Sequence, residues 1–281
     1  MPIYEQTYRR WEARGPLRRL RFWPITREAL RLLLAKRAFL GLVIFSWTAL
    51  VVRVVQVVLF TRVPEMARVL PVDGRLFGEF LNQQLPFVLM VSVFGGAGLI
   101  ANDLRTGAIL VYLSRPLTRR DYVLGKLGVL LFLNLLVTLA PGLLLYAVSL
   151  ALAPEQFAKL SLAWIAPAVV LHSLSIALVV SLIALAVSSL SRSAWVSGLS
   201  FAGLVVGLEI ARGVIRVMSG SAFSVLVSFQ GSLRAFGNAL FGITDRWLDI
   251  PWAYPVLLLA VLSAGSLLVL RARVRAVEIV R

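Results

Sequence analysis

The sequence contains no cysteine and only one histidine, His172, among 281 residues. Without thiols there is no disulfide framework, and with one imidazole and few carboxylates no structural or catalytic metal centre can be assembled. Charge is scarce as well. Asp, Glu, Lys and Arg make up 15% of the chain, against roughly 25% in a soluble domain. A soluble fold of this length would lack the polar side chains to cover its surface, and a hydrophobic content of 59% excludes a disordered polymer. There is no Gly-x-x-x-x-Gly-Lys-Ser/Thr phosphate loop and no cluster of Asp residues of the kind membrane transferases use to hold diphosphates. Gly198-x-Ser200-x-Ala202 is a weak echo of a nucleophile motif, and the one imidazole that could serve it reads instead as a hydrogen-bonded packing residue.

What the chain has is long apolar runs. Six are near the length of about 20 residues that spans a bilayer: Phe39–Phe60, Gln84–Ala101, Val123–Leu150, Ala163–Leu190, Ala194–Val217 and Pro251–Leu270. None alternates with period two, which argues against a transmembrane β-barrel. The first begins behind ten basic side chains, too late and too long for a cleaved signal peptide. The fold class is therefore an all-α polytopic membrane protein with six transmembrane helices.

The net charge is +16, from 29 Lys and Arg against 13 Asp and Glu. Six spans put both termini on one side, together with residues 102–122 and 191–193. With Lys126, those segments hold 20 of the basic residues and 6 of the acidic ones. Cytoplasmic loops are enriched in Lys and Arg, so both termini are expected in the cytoplasm of a cell whose inner membrane holds the protein. The same asymmetry accounts for the positive charge without nucleic acid, for which no motif is present.

Residues 1–37 divide into an Arg-rich arm and an amphipathic stretch. In the latter, Ala29, Leu30, Leu33 and Leu34 follow helical spacing, opposite Arg27, Glu28 and Arg31. Thr26 is placed to cap this helix, which would lie in the membrane interface and feed into the first span. Residues 102–122 begin with Asp103 and Arg105 and continue as a short apolar helix from Gly107 to Ser114, halted before Pro116. Thr118 and Asp121 have the spacing of a capping box that opens the third span. Leu110, Tyr112 and Leu113, framed by Arg115, Arg119 and Arg120, suit a docking surface for another protein.

Inside the membrane, Ser200, Gly203 and Gly207 form a small-residue stripe on span five, suited either to a dimer seam or to internal packing. Charges within spans are costly and face protein or water. Arg53 lies toward the outer leaflet, within snorkelling reach of the interface. Glu209, Arg212 and Arg216 share one face of span five, the first two as an ion pair. These four are the candidates for lining a translocation path. Residues 218–250 are apolar but broken by Gly231, Gly237 and Gly242, and read as amphipathic or re-entrant helices at the outer leaflet, a candidate outer gate.

Asp103, Thr106-Gly107, Leu113-Ser114-Arg115-Pro116, Arg119, Tyr122 and Gly125-Lys126 follow one another in an order that resembles the signature region of the ABC-2 family of ATP-binding-cassette permeases, the membrane subunits of bacterial exporters. The family usually carries Glu at the carboxylate and Gly-Thr where this chain has Thr106-Gly107. The interfacial helix over Ile25–Arg37 and the six spans resemble the family as well. The resemblance implies a type II exporter-like architecture: an arm and elbow helix over 1–37, a transmembrane domain over 38–271 and a cytoplasmic tail over 272–281. It implies a cytoplasmic ATPase subunit that carries ATP and Mg, with no cofactor bound by this chain. A second permease copy, most simply a homodimer, would meet the first at spans one and five. Asp103, Arg105, Gly107, Leu110, Leu113, Arg115, Pro116, Arg119, Arg120, Tyr122 and Lys126 would couple to the ATPase, and Ser189–Trp195 would be a second contact. The substrate is not implied. A membrane scaffold or mechanotransmission subunit, using the same ATPase to act on periplasmic partners, is the alternative.

Overall fold

The structure is a computed structural model that describes residues 22–63, 71–108, 118–160, 162–245, 248 and 250–274. Six helical spans are long and apolar enough to cross a membrane: Arg37–Arg62, Gly74–Thr106, Arg119–Leu152, Leu162–Leu190, Ala194–Ser219 and Ala253–Arg273. Among the described residues there is no strand. The chain is an all-α polytopic membrane protein with an elbow helix, Trp23–Leu34, ahead of the first span.

Burial orders the spans. The most apolar stretch of span four is 72% buried, and those of spans two and three are 61% and 50% buried. The values for spans one, five and six fall to between 28% and 22%. Span four is thus the central post. Ile176, Val180 and Leu185 on it pack with Leu130, Leu133 and Val137 of span three and Leu85 and Val88 of span two. The outer spans turn Val51, Val52, Leu199, Ile210, Leu257 and Leu268 outward. So much exposed apolar surface is stable only against lipid tails.

Where apolar burial no longer distinguishes protein from lipid, buried polar side chains set which helices meet. Asn134 Nδ2 donates to Ser92 Oγ at 3.2 Å and to Ser181 Oγ at 3.1 Å, joining spans two, three and four. Span two changes pitch at Ser92–Gly96, a π-helical turn. Just beyond it, the Ser188 hydroxyl donates to the Ala97 carbonyl at 2.7 Å and accepts from the Ile100 and Ala101 N–H groups, each at 3.2 Å. Span one breaks at Trp47, between helices Arg37–Ser46 and Thr48–Arg62, and the Gln84 side chain donates to the Ser46 carbonyl at 3.1 Å. A membrane helix tolerates such breaks only when a neighbour takes up the backbone groups.

Three sequence expectations about helix ends and packing change here. Span two starts at Gly74 rather than near Gln84, because Asp73 caps it, accepting from Arg75 N at 2.9 Å. Its polar first turns are stabilised by span one. Thr26 does not cap the elbow helix, which opens at Phe22 without a side-chain cap. Its hydroxyl donates instead to the Gly125 carbonyl of span three at 2.8 Å. His172 is fully buried on span four against Phe236 and Phe241, but among the described residues neither ring nitrogen has a hydrogen-bond partner. It packs as an aromatic ring.

At the end of the bundle opposite the elbow helix, a 3-10 turn, Ala222–Val227, leads into a helix over Phe229–Phe241. Ser228 caps that helix, accepting from Gly231 N at 3.0 Å. Phe229, Leu233 and Phe241 are buried, so this outer helix is built into the bundle and does not lie loosely over it.

Candidate functional site: the basic end of the bundle

One end of the bundle gathers the elbow helix, the close of spans two and six and the start of spans one, three and five. The elbow helix docks on span three where Gly125 removes a side chain. A Cβ there would sit 3.0 Å from Ile25 Cβ and 3.2 Å from the Phe22 carbonyl. Lys36 adopts an extended conformation between the elbow helix and span one, so the two helices meet at a corner.

The loop from 107 to 118 leaves and re-enters the bundle through two well-defined ends. Span two stops at Gly107, whose φ of 69° is the left-handed conformation that closes a helix at low cost when no Cβ is present. Span three opens with the capping box read from the sequence: Asp121 N donates to Thr118 Oγ1 at 3.2 Å, and Thr118 N donates to Asp121 Oδ2 at 3.0 Å. Side chains then tie these ends together. Asp103 Oδ2 lies 2.7 Å from Lys126 Nζ and accepts the Tyr122 hydroxyl at 2.8 Å. The Lys126 ammonium sits 5.6 Å from the Tyr122 ring centre. The Lys126 side chain is 7% exposed and that of Asp103 16%. This is a buried, charge-assisted clamp across the root of the loop. Three of the positions singled out by sequence thus form one unit. Arg105, Arg119 and Arg120 stand exposed around it, while Leu110, Leu113, Arg115 and Pro116 lie outside the described residues.

Beside the clamp opens a cavity of about 700 Å³, the size of a small-molecule site. Leu32 of the elbow helix, Phe94 of the π turn and Trp195 and Leu199 of span five form its apolar walls, with Asp103 and Lys126 at its polar edge. The π turn, which sequence reasoning missed, shapes this wall. Its only sequence signal is Gly95-Gly96 within an apolar run.

The intramembrane charges form two separate groups. Arg53 is 7% exposed and does not snorkel. Its guanidinium reaches Gln56 Oε1 at 2.8 Å, Gln83 Oε1 at 3.2 Å and Glu79 Oε2 at 3.3 Å. The start of span two supplies a carboxylate and an amide within hydrogen-bonding reach, and the side chain turns inward to them. On span five, Arg212 pairs with Glu209 at 2.9 Å, and Ser228 donates its hydroxyl to the other Glu209 oxygen. Arg216 lies one turn farther on, half-buried. Arg53 and Glu209 contact different elements, so a single protomer does not join them into one polar path. Ser200, Gly203 and Gly207 face outward, and a Cβ at Gly203 or Gly207 would meet nothing within 4 Å. The stripe therefore plays no part in packing within this chain.

Six spans around a central post, an elbow helix and a clamped loop root make up a polytopic membrane domain. The sequence profile of the ABC-2 family transporter proteins matches residues 84–231, and the chain belongs to that family. The match runs from span two through the clamp to the start of the outer helix. No curated protein matches the sequence.

Proposed function

We propose that the protein is the permease subunit of an ABC exporter, a bacterial inner-membrane protein with its basic end in the cytoplasm. The excess of Lys and Arg on the segments at that end supports the orientation. A separate ATPase subunit, carrying ATP and Mg, docks on the loop between Gly107 and Thr118. The observation that carries this reading is the Asp103–Tyr122–Lys126 clamp. It makes the two roots of the loop one rigid piece and forms part of the cavity edge, so a push on the loop is delivered to the cavity wall. Cargo enters at that cavity and leaves past the outer helix when the two permease copies rearrange. Leu113→Asp should abolish capture of the ATPase from membranes while the protein inserts normally. Undiminished capture would overturn the docking assignment. Loss of ATP-driven solute export in proteoliposomes should accompany it, whereas a complex that hydrolyses ATP without moving solute would favour a mechanotransmission role.

The outward stripe on span five supports a homodimer in this reading, because close helix approach in lipid needs small residues with free space above them. Gly203→Cys should therefore crosslink to its twin in oxidised membranes. Monomer alone on a non-reducing gel would remove span five from the seam.

A further inference from the structure

A second cavity, of about 440 Å³, lies at the basic end between the first turns of span three and the last turns of span six. Arg119, Arg120 and Arg271 stand around its rim. Among the described residues, none of these guanidiniums has a carboxylate partner, and Asp121, adjacent to Arg120, turns its carboxylate back onto Thr118. The floor is apolar. Leu124 and Leu267 are about half exposed on the lipid-facing surface, while Leu270 and Val274 are buried beneath them. Positions 267, 270, 271 and 274 fall on one helical face, so the arrangement is built jointly by two spans.

Three cations without a carboxylate partner among the described residues, above an apolar trough that continues onto the lipid-facing surface, call for a ligand with an anionic head and a hydrocarbon tail. We propose that this crevice binds an anionic phospholipid of the adjoining leaflet, its phosphate held by Arg119, Arg120 and Arg271 and an acyl chain lying over Leu124 and Leu267. Basic pockets between transmembrane helices recognise such headgroups, and guanidinium forks match phosphate oxygens. The positive end of the span-three helix dipole adds to the attraction. An acidic protein segment would use the arginines but leave the bilayer-level trough uncovered. The site also bears on the clamp, since Val274 packs against Tyr122, whose hydroxyl holds Asp103. The inference rests on the membrane-spanning arrangement alone and stands or falls apart from the ATPase assignment.

The test uses the full-length protein in nanodiscs of phosphatidylcholine and phosphatidylglycerol in equal parts, released into detergent and read by native mass spectrometry for lipid retained per chain. Wild type should keep phosphatidylglycerol in preference to phosphatidylcholine. Arg271→Gln should lower that retention about fivefold, the change expected for one juxtamembrane basic residue. Arg271→Lys should keep most of it. Arg273→Gln, which removes the same charge from the same helix end outside the pocket, should leave it unchanged. Equal losses in the Arg271→Gln and Arg273→Gln variants would mean diffuse surface charge and overturn the site. So would equal retention of both lipids, or full displacement of phosphatidylglycerol by inorganic phosphate. Unchanged lipid in Arg271→Gln together with lost ATPase capture would assign the patch to a protein partner instead.

Discussion

Lys126→Ala should be among the most damaging single changes in the protein, costing about 3 kcal/mol of stability, the low end for a buried pair, because it strands a largely buried carboxylate at the cavity edge. In the native clamp Asp103 has both the Lys126 ammonium at 2.7 Å and the Tyr122 hydroxyl at 2.8 Å. After the substitution the hydroxyl is the one protein partner left to it among the described residues. Asp103→Asn should be nearly as severe, since it strands the ammonium. Tyr122→Phe removes one hydrogen bond to a charged group and should cost less, about 1.5–3 kcal/mol. Combining Asp103→Asn with Lys126→Met leaves no buried charge and should recover much of the loss, as neutral replacements of buried pairs do. Thermal unfolding of the purified variants in detergent checks the series. A Lys126→Ala protein that melts with wild type would show that the clamp holds nothing. The double variant also separates strength from transmission: a stable protein with a neutral clamp that captures the ATPase but exports poorly would show the ion pair carrying force.

How much of this was legible beforehand depends on the range of the interaction. Interactions within one segment were readable. The six apolar runs, the Thr118–Asp121 capping box and the Glu209–Arg212 pair each involve neighbours on a single helix, and each is present. Interactions between segments were not. Lys126 and Asp103 lie on different helices, and no spacing rule joins them; the family resemblance singled out both positions without revealing that they touch. Thr26 has the composition of a cap, yet it spends its hydroxyl on Gly125, across 99 residues of chain. The early start of span two was hidden for the same reason. Glu79, Asn82 and Gln83 depress its hydropathy, and their partners lie mostly on other elements: Arg53 of span one reaches Glu79 and Gln83, and Asn82 donates to Asn238 of the outer helix. Buried polar groups select their partners in three dimensions. A membrane protein places its most consequential contacts among the residues that a hydropathy reading marks as interruptions.

The same logic identifies Glu209 as the latch of the outer helix. Its carboxylate accepts from Arg212 Nε at 3.0 Å and from the hydroxyl of Ser228, the residue that caps Phe229–Phe241. Arg234 on that helix is close enough to feel it. Burial pulls the Arg234 guanidinium below the ordinary arginine range, the Glu209 charge opposes that shift, and the Arg212 charge adds to it. Glu209 therefore pairs with Arg212 and acts on Arg234 through space at the junction of span five and the outer segment. Glu209→Ala leaves Arg212 without its partner and the Ser228 hydroxyl without its acceptor, and should cost about 3 kcal/mol locally, the low end for a buried pair because the carboxylate is partly exposed. Ser228→Ala removes the cap and one donor to Glu209 but leaves the Arg212 pair, and should cost less, about 1–2 kcal/mol. The opening can be read directly at Ser232, which is fully buried on the outer helix. A cysteine placed there should resist a membrane-impermeant maleimide added from outside in the parent protein and react readily when combined with Glu209→Ala. Glu209→Gln, which keeps the acceptor oxygen and loses the charge, should fall between the two. Equal labelling of all three would mean that the outer helix is held by its apolar face, Phe229, Leu233 and Phe241, and that Glu209 has no part in closing the outer end.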